Sequence, residues 1–231
     1  MQDPIEAIVL YLAFIFAATC HEASHAWAAK LGGDLTAYAA GQVSLDPFPH
    51  IRREPFGMVI LPLIGLFLIG WPLGFASAPY DPAWALRHPR RAGWMSLAGP
   101  GANLALLLIL GLAIHAGTAL GFFEAPLSVS FSQVTVGTGD LASALALVLG
   151  VFFSMNLLLF VLNMLPVPPL DGSGALLLLI PQSQATAYQM WMRQPLVSWI
   201  GIILVFRYVG EIFVPIFFAC VGLLYPGVSY R

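Results

Sequence analysis

Two histidines and a glutamate within five residues, His21-Glu22-Ala23-Ser24-His25, are the side chains of this sequence best placed to do chemistry. Four residues along a helix return a side chain to nearly the same face, so His21 and His25 can meet one metal ion while Glu22 projects about 100° away. From there the Glu22 carboxylate reaches a water at the metal without taking a ligand position, which is the place of a general base. Zn²⁺ suits such imidazole donors; it would bring the pKa of its water toward ~7 and polarise a scissile carbonyl, the chemistry of peptide hydrolysis. Two histidines do not complete a catalytic site, because a third protein ligand and an open fourth position are required.

Asp171 meets the need for a third ligand, as a carboxylate stranded between apolar runs and preceded by a proline-broken stretch that can aim it inward. A charge at the centre of a membrane helix costs ~2.5 to 3.5 kcal/mol on insertion scales, so Asp171 and Glu22 each need a compensating cation, and one zinc ion serves both. The competing reading of the pentapeptide is a chance match, or two core histidines satisfied by backbone carbonyls. Three polar residues clustered in hydrocarbon weigh against it. Asn163 can donate where negative charge develops, or hydrogen-bond the substrate backbone; the alternative is an amide that satisfies a carbonyl freed by Pro166, Pro168 and Pro169. His50 is read as a partner for local backbone and given no place at zinc. Asn103 reads as a helix-packing hydrogen bond, and Arg207 with Glu211, at i,i+4 spacing, as a pair that neutralises itself.

The elements that must position these groups lie in lipid. Of 231 residues 59% are hydrophobic and 9% charged, and the mean hydropathy is +0.87, where a soluble domain has about a quarter of its residues charged. The length and composition predict an all-α integral membrane protein, a polytopic helical bundle of roughly four to six spans with a short membrane-dipping β-hairpin, in one domain over 1–231. A net charge of -2 and the lack of a basic run with interleaved aromatics leave nucleic acid no electrostatic reason to bind. Cys20 and Cys220 have the spacing of neither a metal knuckle nor a disulfide framework.

Residues 5–30 form the expected zinc helix, ended by Gly32-Gly33; Asp3 and Glu6 at its start set it apart from a cleaved signal segment. Residues 34–56, punctuated by Gly and Pro and alternating briefly from Gln42 to Leu45, read as a hairpin, whose edge at 41–50 would pair with an extended substrate as an added strand. Gly57 to Ser77 is apolar but interrupted by Pro62, Gly65, Gly70, Pro72 and Gly74, so it re-enters the membrane or crosses it kinked. Core helices are expected over 92–120 and 141–180, the second opened by its prolines, and 195–225 supplies one long C-terminal helix or two short ones. His21 falls about 24 Å along its helix, and Asp171 lies at the end of its own segment, so a shared metal requires these two helices to run the same way and the 92–120 helix the opposite way. Lys30, Arg87, Arg90 and Arg91 then gather on one face, which the positive-inside rule makes cytoplasmic.

Taken together these segments resemble the site-2 proteases, intramembrane zinc metalloproteases that cut the transmembrane segments of membrane-anchored proteins. His21-Glu22-Ala23-Ser24-His25-Ala26-Trp27 is similar to the family's zinc helix, and Asn163 to Gly172 resembles its second signature, an Asn followed by prolines and ending in Leu-Asp-Gly. On that resemblance the ligands of a single zinc ion fall on His21, His25 and Asp171, the catalytic Glu on Glu22, and the substrate-positioning Asn on Asn163. Gly41 to Gly57, with Leu45-Asp46-Pro47 and His50-Ile51, and Gly99-Pro100-Gly101-Ala102-Asn103 look like segments of a compact bacterial and archaeal branch without a PDZ domain. The likeness runs from residue 10 to about 225, with three departures: Asp46 where that branch commonly has Asn, the inserted Arg52-Arg53-Glu54, and Ser77 where Lys is frequent. The resemblance implies regulated intramembrane proteolysis in a prokaryotic cell membrane, with the active site toward the cytoplasm; the partners are a membrane-anchored substrate with a transmembrane helix and the bilayer. A second class stays open, a membrane metal transporter or metal-binding protein using the same His and Asp ligands. The repeated halves and second ligand cluster of a transporter are not seen in the sequence.

Overall fold

An aspartate and a proline start the first helix. Asp3 accepts from the Ile5 N–H at 2.9 Å, Pro4 occupies a position that needs no amide donor, and α1 runs unbroken over Pro4–Leu31. It stops at Gly32-Gly33, where Gly33 takes a φ of 92°. The computed structural model describes residues 3–228 and 230; of the domain expected over 1–231, residues 1, 2, 229 and 231 lie outside that description.

Residues 34–56 correct the expectation of an extended hairpin. They fold as two short helices, α2 (Thr36–Ala39) and α3 (Pro47–Arg53), joined by a bend. The reason lies in Asp46-Pro47: the Asp46 carboxylate accepts from the Phe48 N–H at 2.9 Å and the proline takes the first helical position. That start signal outweighs an alternation only four residues long. Among the described residues the β-structure is confined to the loop between two later helices, where β1 (Phe123–Glu124) pairs antiparallel with β2 (Val136–Gly137).

The next segment leaves and returns on one side. A π-helical turn (Phe56–Ile60) continues into α4 (Leu61–Ile69), which ends at Gly70 with φ 71°. The chain then comes back extended along it: Trp71 N–H donates to Gly65 O at 3.3 Å, and Phe75 N–H to Gly57 O at 3.1 Å. At the base, Arg53 Nε donates to Ser77 O at 3.0 Å and the Ser77 hydroxyl donates to the Glu54 carboxylate. Phe56–Ile69 is shorter than the ~20 residues of a crossing helix, and with the returning chain it makes a closed loop. Two of the three departures noted in the sequence, the inserted Arg-Arg-Glu and Ser77, close that loop together.

After α5 (Pro82–Arg87) come α6 (Pro89–Ala119) and α7 (Asp140–Met164). Within the segment expected over 141–180 the helix ends at Met164, at the break its prolines imply, because Pro166, Pro168 and Pro169 cannot donate to an i-4 carbonyl. Beyond the prolines the chain forms α8 (Asp171–Ala175), a 3-10 turn (Leu176–Leu178) and α9 (Gln182–Met192). The C-terminal segment is one helix, α10 (Pro195–Leu224), continuous through Pro215.

Four helices, α1, α6, α7 and α10, are long and apolar enough to cross a membrane, and the chain is a multi-pass helical membrane protein. Bonds from His25 to Met95 and from Asn103 to Ala17 make α1 and α6 antiparallel; Asn103 with Asn156, and His21 with Asp171, set α7 parallel to α1. Leu10, Phe14, Ala17, Val151 and Met155 form the core where α1 meets α7. A second core joins α6 and α7 to one stripe of α10, through Ile114, Leu157, Phe213 and Phe217. Elsewhere α10 exposes Trp199, Ile203 and Phe206, as a lipid-facing helix does.

Candidate metal centre

His21 and His25 point from the same face of α1 into the bundle and are buried, as is Glu22 between them. Asp171 is the first residue of α8 and reaches back to both rings: its Oδ2 lies 2.9 Å from His21 Nε2 and 3.2 Å from His25 Nε2, and the two Nε2 atoms are 2.9 Å apart. Among the described residues these three form the cluster of His, Cys, Asp or Glu donors close enough to share an ion.

The other nitrogen of each ring is already committed. His25 Nδ1–H donates to Met95 O at 2.7 Å and His21 Nδ1–H donates to Asn103 Oδ1 at 2.6 Å, so that in the neutral rings both Nε2 lone pairs face the Asp171 carboxylate. Two lone pairs and a carboxylate oxygen converging in a buried site repel one another unless a cation lies among them. The room is there as well, because α6 passes the cluster at Gly99, where a β-carbon would fall onto both Nε2 atoms. Donor types, ring tautomers and space fit Zn²⁺ held by two histidines and a carboxylate.

The remaining elements hold Asp171 in place. Gly174 of α8 packs directly on Ser96 of α6, Ser173 Oγ donates to Leu170 O at 2.7 Å, and Tyr188 of α9 donates its hydroxyl to Ser173 O at 2.8 Å. Gly201 of α10 lies against the Pro168 backbone so closely that a side chain there would collide with the carbonyl.

The other residues singled out in the sequence are placed differently. Glu22 is buried beside the cluster and is not one of its three donors. Asn163 stands in the last turn of α7, partly exposed, and makes no hydrogen bond to His21, Glu22, His25 or Asp171 among the described residues. His50 is apart from the cluster; its Nε2–H donates to Ser44 O at 2.9 Å and shapes the bend before α3. Arg207 and Glu211 pair with each other at 2.8 Å on an exposed face of α10. Sequence reasoning gave Asn103 a packing role and missed its bond to His21, and it passed over Asn156, whose amide bonds to Asn103. The signal was available: each is an amide inside an apolar span.

On the side of α1 toward the bend, Ala23, Ser24 and Trp27 face Val43, Ser44 and Leu45 across a cavity of about 250 Å³.

The family model described as Peptidase family M50 matches residues 9–206. Over 177 residues the chain is 33% identical to a Bacillus subtilis (strain 168) protein named "Putative zinc metalloprotease YwhC", a match that covers 74% of this chain and 69% of that one. It is 34% identical over 157 residues to "Putative zinc metalloprotease Rip2" of Mycobacterium tuberculosis, covering 68% of this chain and 51% of the relative. With the protein of that name from Mycolicibacterium smegmatis it shares 30% over 173 residues, 73% of this chain and 56% of the relative. The chain thus spans about half the length of its mycobacterial relatives. No solved structure matches it at comparable significance.

Proposed function

The chain belongs to peptidase family M50, and from that membership we propose that it is a zinc endopeptidase which hydrolyses peptide bonds within or near the transmembrane segments of membrane-anchored proteins. The observation that carries this reading is the meeting of His21 Nε2, His25 Nε2 and Asp171 Oδ2 inside a bundle of membrane helices, with both Nδ1 atoms tied off. These three atoms would hold the zinc. The ion supplies a Lewis acid that polarises the scissile carbonyl and makes water acidic enough to act near neutral pH.

Glu22 accepts the proton of the attacking water on a carboxylate oxygen and passes it to the departing amine nitrogen, so that the new N-terminus leaves uncharged. Asn163, in the last turn of α7, donates its amide to the substrate backbone and keeps the scissile bond in register. The substrate lies extended in the groove between Ser24, Trp27 and the bend at Val43 to Leu45. Lys30, Arg52, Arg53, Arg87, Arg90, Arg91 and Arg193 all flank the ends of the helices nearest the site, which supports a cytoplasmic orientation in a prokaryotic cell membrane. The reading of a metal transporter finds less support, since a transit path needs a second ligand cluster and the described residues form one.

Zinc content and cleavage of a model transmembrane substrate, measured for the natural chain and for Glu22→Gln, test the proposal. The variant is expected to keep one zinc and lose about 10²- to 10⁴-fold in turnover. Comparable turnover at equal zinc loading would overturn it.

A further inference from the structure

We propose that Asn156, in α7 and away from the reacting atoms, is a positioning residue: it fixes which way the Asn103 amide points and, through it, which nitrogen of His21 faces the metal. The inference rests on the zinc-site reading and extends that site to a third helix.

A carboxamide has a donor end and an acceptor end of nearly the same shape, so its direction is set by its partners. The direction matters at His21. If Asn103 turned its NH₂ toward Nδ1, that nitrogen would have to carry the lone pair, and the ring proton would move to Nε2, where it blocks the ligand position.

Two backbone carbonyls, which can only accept, settle the direction. Asn156 Nδ2 donates to Phe152 O at 2.9 Å, so Asn156 Oδ1 faces Asn103 and accepts from its Nδ2 at 3.0 Å. The second Nδ2 hydrogen of Asn103 goes to Ala17 O at 3.3 Å. Its oxygen is left for His21 Nδ1–H, at 2.6 Å. Both amides are 0% exposed, so no water can repair a flipped one. A reversed amide would set donor against donor at one end and acceptor against acceptor at the other, in surroundings where each unmade bond is costly. His25 has the same tautomer fixed directly, by Met95 O; His21 depends on Asn103, which is held by Ala17 O at 3.3 Å and, through the shorter bond at 3.0 Å, by Asn156 anchored on Phe152 O.

The test uses the full chain in detergent, with Asn156→Leu, which removes the acceptor at similar size, and Asn156→Asp, which keeps an oxygen toward Asn103. Zinc affinity is read by chelator competition, ligand geometry by the visible absorption of the Co²⁺-loaded protein, and stability by thermal unfolding. Asn156→Leu is expected to bind zinc about tenfold more weakly with an altered Co²⁺ spectrum, while Asn156→Asp stays within about threefold of the natural chain with its spectrum kept. A lower melting temperature in Asn156→Leu, with affinity and spectrum unchanged, would reduce the residue to packing and overturn the relay. Equal weakening in both variants would overturn it too. ¹⁵N shifts of selectively labelled histidine in the zinc-loaded natural chain give a check that needs no variant: His21 is expected to carry its proton on Nδ1, and a proton on Nε2 refutes the proposal. If the natural chain bound no zinc, the zinc-site reading would fail and the relay with it; unchanged zinc affinity in Asn156→Leu would sink the relay alone.

Discussion

Gly99 lies against His21: a β-carbon built on its backbone falls onto the Nε2 atoms of His21 and His25 and within 2.7 Å of His21 Cδ2. The approach of α6 to α1 at this level therefore leaves room for the two imidazoles only because no methyl group is present. Gly99→Ala is expected to drive both imidazoles off their positions and weaken zinc binding by about 10- to 100-fold. Gly101→Ala, whose β-carbon would meet nothing within 4 Å, should leave affinity unchanged. Chelator competition on the two variants decides the point, and equal affinities would separate the close approach from the metal.

The histidine spacing was legible because i,i+4 is a local rule of the helix, and Asp171 because a lone carboxylate between apolar runs is expensive. Asn103 was harder, since its partner stands 82 positions away and nothing local marks an amide that orients a ring from one that only packs. Residues 34–56 misled for a different reason. Their alternation from Gln42 to Leu45 is short, and the Asp46-Pro47 helix start beside it was the stronger physical signal. The doubling back of the next segment was not legible from its glycines and prolines, because the bonds that hold it, Phe75 to Gly57 and Arg53 to Ser77, join residues 18 and 24 apart.

Those bonds carry a prediction of their own. A β-carbon on Gly57 would run into Phe75 O, so Gly57→Val is expected to prise the returning chain from the helix and cost about 1–3 kcal/mol. Arg53→Ala, which removes a partly exposed group at the loop base, should cost less than about 1 kcal/mol. Limited proteolysis between residues 70 and 81 reads the difference: rapid cutting in Gly57→Val and slow cutting in Arg53→Ala. The reverse order would place the anchor of the loop at its base.

Asp34 ties the end of α1 to the start of α5. Its carboxylate accepts from Thr36 N–H at 2.9 Å, from the Thr36 hydroxyl at 2.6 Å and from Asp81 N–H at 2.7 Å. Burial pushes its pKa up, but the donors from Thr36 and Asp81 outweigh burial and hold the carboxyl below its ordinary value. With the folded-state pKa below the unfolded one, the stabilisation is fully present above about pH 4 and is lost as pH falls through the folded pKa. Asp34→Asn cannot accept at its Nδ2 and should cost about 1–3 kcal/mol at pH 7, with a smaller deficit in acid. Thermal unfolding in micelles at pH 7 and pH 3 measures both values. A deficit that does not shrink at pH 3 would mean that the charge of Asp34 contributes nothing.

Access of the substrate is the last consequence, and it stems from the corrected shape of residues 34–56. An intact helix hides its peptide bonds in its own hydrogen bonds and is about 10–12 Å across, whereas the groove between Ser24 and Trp27 on one wall and Val43 to Leu45 on the other holds about 250 Å³. That wall is a bend braced by His50 on Ser44 O, and it offers no strand edge, so on the proposed function an unwound substrate would be held there by side-chain contacts. Ser44→Trp would fill the groove and is expected to raise KM about tenfold while zinc content stays the same. Unwinding should show in the substrate as well. Each Gly placed in a helix lowers its stability by about 1 kcal/mol, so two Gly residues near the cleavage point of a poly-Leu segment should speed cutting by up to about 30-fold. Cleavage rates for the poly-Leu segment and its Gly variants, taken at equal occupancy, test this. Equal rates across the series would mean that the helix is already open when it reaches Glu22, and that unwinding happens before the groove is entered.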